Sequence, residues 1–151
     1  MTISTNEKLG LVDTNVLVYR ADRDSQYHLS SSNLINLGLR GEIPLCLAPQ
    51  NLTEFYAVIT SPKRVTNPID PATARAEIEM YIQSQNIRII YQKPGLMSKV
   101  LELLNQTSIT RQHIFDLQLV ATMLINGVTR IYTFNANHFS PYQGIEVITL
   151  E

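Results

Sequence analysis

The stretch Leu9–Asp22, LGLVDTNVLVYRAD, decides the fold. A short apolar run, Leu9 to Val12, ends in Asp13-Thr14-Asn15 and passes at once into helical patterning. A strand that feeds directly into a helix leaves Asp13 and Asn15 where a parallel strand ends, the edge at which open α/β sheets place their chemistry. Asp, Thr and Asn are also common helix starters. Taken alone, Asp13 therefore reads as a cap, and its claim to chemistry depends on other acids reaching the same edge.

Working outward, the remaining elements alternate. A polar break over Asp22 to His28 precedes a helix from about Ser30 to Leu39, closed by Gly41. Pro44 to Ala48 reads as the second strand. Leu52, Phe55, Tyr56 and Ile59 then recur at the spacing of one helical face, and Ser61-Pro62 ends that helix because proline disfavours helical geometry in the residue before it. Pro62 to Pro71 is the best loop candidate. Asp70-Pro71 opens a helix running to about Gln83, in the cap-then-proline order expected of an N-terminus. Asn86 to Tyr91 is the third strand. Met97, Val100, Leu101 and Leu104, and later Leu117, Val120, Ala121 and Leu124, mark two more helices, the second ended by Gly127. Thr129 to Thr133 and Ile145 to Ile148 supply the last two strands. Strands alternating with helices predict an α/β fold with a mostly parallel sheet covered on both faces.

The chain has 151 residues, the size of a single domain (1–151), without internal repeats or low-complexity tracts. At 44% hydrophobic and 17% charged residues it is too apolar to be disordered. No segment approaches the ~20 apolar residues of a membrane span, and the opening MTISTNEK lacks the apolar core of a signal peptide. The single cysteine, Cys46, has no internal disulfide partner, and all of this is consistent with a reducing cytoplasm. A net charge of −1 shows no nucleic-acid signature, although cations held by acidic residues would reverse the local field.

The other acids each carry a bland reading beside the functional one. Asp116 falls in the first turn of its helix, about 90° from the centre of the apolar stripe, where it either complements the helix dipole or points along the sheet edge. Asn51-Leu52-Thr53-Glu54 matches a capping box, in which Glu54 would reach back to the helix start. Glu54 also lies nearly opposite the apolar stripe, so solvent exposure would explain it equally. Periodicity alone favours a structural role. Arg20, Lys63, Arg64 and Arg111 are candidate phosphate contacts, each more simply a solvated charge. His28, His113 and His138 have no zinc spacing. Neither a phosphate-binding glycine loop nor a Ser-His-Asp arrangement is present.

VDTNVLVY (12–19), NLTEFYAVIT (51–60), FDLQLVATMLINGVTRIYTFNANHF (115–139) and GIEVI (144–148) together resemble the PIN domain, and most of all the VapC-type toxins of bacterial toxin–antitoxin pairs. The resemblance spans nearly the whole chain. It implies a PIN-like three-layer α/β/α sandwich and a metal-dependent endoribonuclease that hydrolyses RNA phosphodiesters with metal-activated water and no covalent intermediate. Asp13, Glu54 and Asp116 would be the catalytic acids, with Asp13 and Asp116 as metal ligands and Asn15 and Asn135 in support. Mg²⁺ or Mn²⁺ suits such a site, because converging carboxylates repel one another and hard cations prefer oxygen ligands. The resemblance further implies an RNA substrate, with transfer RNA the family-level favourite, a small antitoxin partner and a toxin homodimer.

One departure stands out. Many family members carry a fourth acid after the fourth strand, where this chain has Asn135 and His138, and that puts a second metal ion in question. It also leaves a rival reading open, a catalytically degenerate PIN-like module that binds RNA or a protein.

Overall fold

The computed structural model describes residues 7–151; most of the opening stretch MTISTNEK, read above for a signal-peptide core, lies outside that range. Its core is a five-stranded sheet built from β1 (Gly10–Val12), β2 (Leu45–Leu47), β3 (Ile87–Ile89), β4 (Arg130–Thr133) and β5 (Glu146–Thr149), in the order β3-β2-β1-β4-β5. Every neighbouring pair is parallel. The order reverses at β1: β2 and β3 lie to one side, β4 and β5 to the other. That reversal opens a crevice at the carboxyl ends of β1 and β4.

Side-chain alternation sorts the strands between two cores. Leu11, Cys46 and Ile131 point to one face, where α5 (Leu96–Gln106) and α6 (His113–Ile125) cover them through Val100, Leu103, Leu117, Val120 and Ala121. Val12, Leu45, Leu47 and Tyr132 point to the other. There α1 (Thr14–Ala21), α2 (His28–Leu39), α3 (Pro49–Ile59) and α4 (Pro71–Gln83) pack through Leu17, Ile35, Phe55 and Tyr81. The result is the three-layer α/β/α sandwich expected above.

Two glycines are demanded by this packing. A Cβ on Gly10 would come within 2.4 Å of the Tyr132 ring across the β1–β4 pair, and one on Gly38 of α2 would come within 2.4 Å of Leu45 on β2. Absence of a side chain therefore lets α2 lie directly on the sheet.

Each element appears where the sequence pattern places it, with most ends moved by a residue or two, as helix and strand ends commonly are, and the start of α3 by three. The helical faces needed correction. Tyr56, Met97 and Leu101, counted as core-facing, are 38%, 63% and 59% exposed. The buried stripe of α3 is instead Asn51, Leu52, Phe55 and Ile59, and that of α5 is Leu96, Val100 and Leu103. In each helix an apolar residue beside the true stripe satisfies the same i, i+4 spacing, so periodicity cannot separate the two faces.

Candidate active site

Asp13 is the N-cap of α1 at the end of β1, and both of its carboxylate oxygens are engaged. Oδ1 accepts from the Thr14 backbone N–H at 2.8 Å, and Oδ2 accepts from the Thr133 hydroxyl at 2.7 Å. The cap reading was thus correct, and the same side chain also reaches β4. Thr133 is fully buried and its Oγ1 accepts from the Asn135 N–H at 2.9 Å, which ties the turn after β4 to Asp13.

Glu54 joins this group from α3, although not through the capping box read from the sequence. The helix starts earlier: Ala48 is the N-cap, Pro49 occupies the first turn, and Asn51 Oδ1 accepts from the Ala48 N–H at 2.9 Å. Proline's fixed φ suits that first position, and the shift moves Glu54 into the second turn. There Glu54 Oε2 accepts from the Thr14 hydroxyl at 3.1 Å, while Oε1 accepts from Gln50 Nε2 at 3.1 Å. Asn51 Nδ2 donates to the same Thr14 oxygen at 3.2 Å, so one buried threonine links α1 to α3.

Asp116 arrives from the first turn of α6. Gln50 bridges towards it, its Nε2 also donating to the Phe115 carbonyl at 3.0 Å. Two histidines flank the carboxylate: Asp116 Oδ2 is 3.2 Å from His138 Nδ1 and 3.8 Å from His113 Nδ1.

The electrostatics show that these acids share one field. Burial pushes the Asp13 carboxyl up from 3.8 to about 6, against the pull of the Thr133 and Thr14 hydrogen bonds, with the charges of Asp116 and Glu54 adding to the rise. Asp116 is also raised, chiefly by burial, and the nearby His138 and His113 oppose that rise. An anionic Asp13 in this protein alone is thus at odds with its surroundings, as expected of a functional carboxylate.

Asn15 lies one residue into α1, and its Oδ1 is buried without a hydrogen-bond partner. Asn135 is exposed at the start of the short helical turn Ala136–His138 and engages the site through its backbone. Among the other candidates, Arg20 is turned away to Glu77 at 3.8 Å and Tyr81 at 3.5 Å, whereas Lys63, Arg64 and Arg111 stay exposed. Thr14 was named only as a helix starter, and Gln50 and Thr133 were not singled out; Thr133 ends the fourth strand two residues before the candidate Asn135.

Among the described residues no three His, Cys, Asp or Glu side chains come close enough to enclose a metal ion by themselves. The donor set is nevertheless hard oxygen: carboxylates of raised pKa and the orphaned Asn15 carbonyl oxygen. That suits a Mg²⁺-like cation, which keeps several waters and takes only one or two carboxylates. A cavity of about 840 Å³ between α1, α2 and α4 is lined by none of these acids, so chemistry rather than volume marks the site.

Comparison with known proteins agrees with this fold. Ribonuclease VapC24 of Mycobacterium tuberculosis is 26% identical over 132 residues, 87% of this chain and 89% of the relative. The crystal structure of VapC20 from the same organism, a Sarcin-Ricin loop cleaving toxin, superposes with a TM-score of 0.65 at 15% identity, covering 88% of this chain and 94% of the other. VapBC2 of Rickettsia felis, bound to a DNA fragment from its promoter, superposes with a TM-score of 0.66 at 16% identity, covering 95% and 99%. The PIN domain family pattern matches residues 10–143, from the first strand to the turn before the last, and the chain belongs to the PIN domain family.

Proposed function

We propose that this protein is a Mg²⁺- or Mn²⁺-dependent endoribonuclease and the toxin of a toxin–antitoxin pair. The observation that carries the reading is the network of Thr133, Thr14 and Gln50 that draws Asp13, Glu54 and the start of the Asp116 helix to the carboxyl edge of β1, supported by the ribonuclease and toxin relatives above. Asp13 and Asp116 are the metal ligands in this reading, Glu54 completes the acidic cluster, and Asn15 and Asn135 support it.

The division of labour follows from the bonding. Thr133 and the α1 N-terminus fix both Asp13 oxygens, so the carboxylate is oriented before any ligand arrives. Thr14 and Gln50 hold Glu54 in the same way, and Gln50 sets its distance from the start of α6. Asp13 and Asp116 would hold a divalent cation, which would supply Lewis acidity and charge compensation for in-line displacement at phosphorus. Fixed acids spare the reaction the cost of ordering them.

The substrate is an RNA, with transfer RNA the first candidate. The partners are a small antitoxin and a second copy of the chain. No helix among the described residues is long and apolar enough to cross a membrane, in keeping with action in the cytoplasm.

The test is cleavage of total cellular RNA by purified, antitoxin-free protein with Mg²⁺, Mn²⁺ or EDTA, beside Asp116→Asn. Discrete metal-dependent cuts that vanish in the variant are expected. Wild-type protein that neither cuts nor binds either metal in a calorimetric titration would favour the non-catalytic binding module.

A further inference from the structure

The carboxyl edge of the sheet carries a second feature beside the acids. β2 runs into Ala48, Pro49 and Gln50, and β3 is followed by Ile90, buried in the core, and then Tyr91. Between these two strand ends lies a cavity of about 310 Å³ lined by Ala48, Pro49, Gln50, Tyr91, Gln92 and Thr122 of α6. The strand order β3-β2-β1-β4 sets it beside the Asp13 end of β1, one or two strand spacings along, or about 5–10 Å. Gln50 joins cavity and acids. It lines the cavity, and its Nε2 donates to Glu54 Oε1 at 3.1 Å and to the carbonyl of Phe115, the residue before Asp116, at 3.0 Å.

The lining selects its occupant. None of the six side chains is charged. Both amide hydrogens of Gln50 are committed to Glu54 and Phe115, and the Thr122 hydroxyl donates to the Gln118 carbonyl at 3.1 Å. A phosphate would find no cation there and few free donors, the two things that hold phosphate oxygens. Alanine, proline and an aromatic ring instead suit a flat, uncharged, partly apolar group. Tyr91 supplies the ring. It is 58% exposed, yet its backbone is pinned, because its carbonyl accepts from Asn126 Nδ2 at 2.9 Å and the preceding Ile90 is anchored in the core. An exposed aromatic ring on a fixed backbone beside a cavity is a stacking platform, and single-stranded nucleic acids bind by laying their bases on such faces.

We propose that this cavity receives an unpaired nucleobase of the RNA strand, stacked on Tyr91, from a nucleotide adjoining the phosphate that lies at the acids. This rests on the ribonuclease reading and deepens it: the substrate is single-stranded at the cut, and Tyr91 is a substrate-binding residue that sets which phosphate meets Asp13, Glu54 and Asp116. A neighbouring cavity of about 450 Å³ shares Gln92 and carries Lys93, which gives the strand a continuation with a cation for its backbone.

The test compares strands with and without bases. A short single-stranded RNA of mixed sequence and a strand of the same length built from abasic ribose phosphates share backbone and charge. Each is bound to wild type, Tyr91→Phe and Tyr91→Ala at one fixed salt concentration with Ca²⁺ as the cation, and binding is followed by fluorescence anisotropy. Wild type should bind the RNA more tightly than the abasic strand. Tyr91→Ala should weaken RNA binding by about 5- to 150-fold, the range for one stacked base, and leave the abasic strand unchanged. Tyr91→Phe keeps the ring and should stay within about 2-fold of wild type. An RNA carrying a single 2-aminopurine, moved along the strand, should lose fluorescence on binding wild type at the stacked position and keep it on binding Tyr91→Ala.

A disturbed fold or a displaced cation would weaken both strands alike, so the ratio of the two affinities isolates the stacked base. A ratio unchanged in a folded Tyr91→Ala overturns the inference. So does a wild type that binds the two strands equally, which would leave the cavity to a side chain of a protein partner. If metal-dependent RNA cleavage by wild type is present in either case, only the base cavity falls. Wild type that neither cuts nor binds RNA removes the ribonuclease reading with it.

Discussion

Replacing Asp13 by Asn should make the cation-free protein more stable near neutral pH and slightly less stable in acid. In the unfolded chain this carboxyl loses its proton near pH 3.8; in the fold, burial delays the loss to about 6. Below the lower value it is protonated in both states and carries no penalty. Between 3.8 and about 6 the unfolded chain has given up a proton that the fold still holds, so stability falls across that range, and above 6 the folded carboxylate carries the full penalty. The full difference corresponds to about 3 kcal/mol, an upper bound because Asp13 keeps part of its surface exposed. Against this, the amide retains one acceptor oxygen for the bonds from Thr14 and Thr133, and the loss of the other costs about 1 kcal/mol. Asn caps a helix as well as Asp does.

The net expectation is a gain of about 1–2 kcal/mol near pH 7.5, or about 2–8 °C in Tm for a chain of this size, and a loss of about 1 kcal/mol near pH 4. Urea unfolding of both proteins in EDTA across that range measures it. Added Mn²⁺ should raise the stability of wild type and leave the variant unmoved, since binding to the native state alone stabilises it. A variant no more stable than wild type at neutral pH, or a difference that does not shrink as pH falls from 6 to 4, would refute the account of a strained, cation-awaiting carboxylate.

Other expectations are simpler to state. Glu54→Gln and Asp116→Asn should each lower RNA cleavage by at least about a hundred-fold, which is about 3 kcal/mol of transition-state stabilisation, with circular dichroism unchanged. Gln50→Ala should reduce turnover by about ten-fold through loosened Glu54 and α6 while changing stability by less than about 1 kcal/mol, because its bonds are partly exposed; unaltered turnover would show that the bridge is idle. Gly38→Ala should destabilise by about 1–3 kcal/mol despite alanine's better helix propensity, because its Cβ meets Leu45 at 2.4 Å in a closed core. A more stable Gly38→Ala in denaturant titration would mean that α2 shifts freely on the sheet.

The limits of sequence reading show in particular residues. Gly10 to Val12 followed by Thr14 onward announces a strand and a helix through local pattern alone, and Gly127 closes α6 with φ +72° as a terminal glycine does. Tyr56, Met97 and Leu101 went astray because two neighbouring stripes on a helix obey one period, and only the position of the sheet tells them apart. The capping-box reading of Asn51 to Glu54 went astray for a different reason. Pro49 and Asn51 make a better helix start than Asn51 and Glu54, and the choice between overlapping caps depends on where the preceding strand ends.

By itself the sequence determined the elements, their alternation and hence a parallel α/β sheet, because hydrophobic periodicity, caps and breakers act within a few residues. It also placed Asp13 at the end of a strand. The family resemblance grouped Glu54 and Asp116 with it; tertiary structure alone decided that Thr14, Gln50 and Thr133 hold the group together and that two histidines border Asp116. Those contacts join residues 40, 65 and 120 positions apart. Contacts at such separations come from the order in which the strands pair, and no local pattern carries that order.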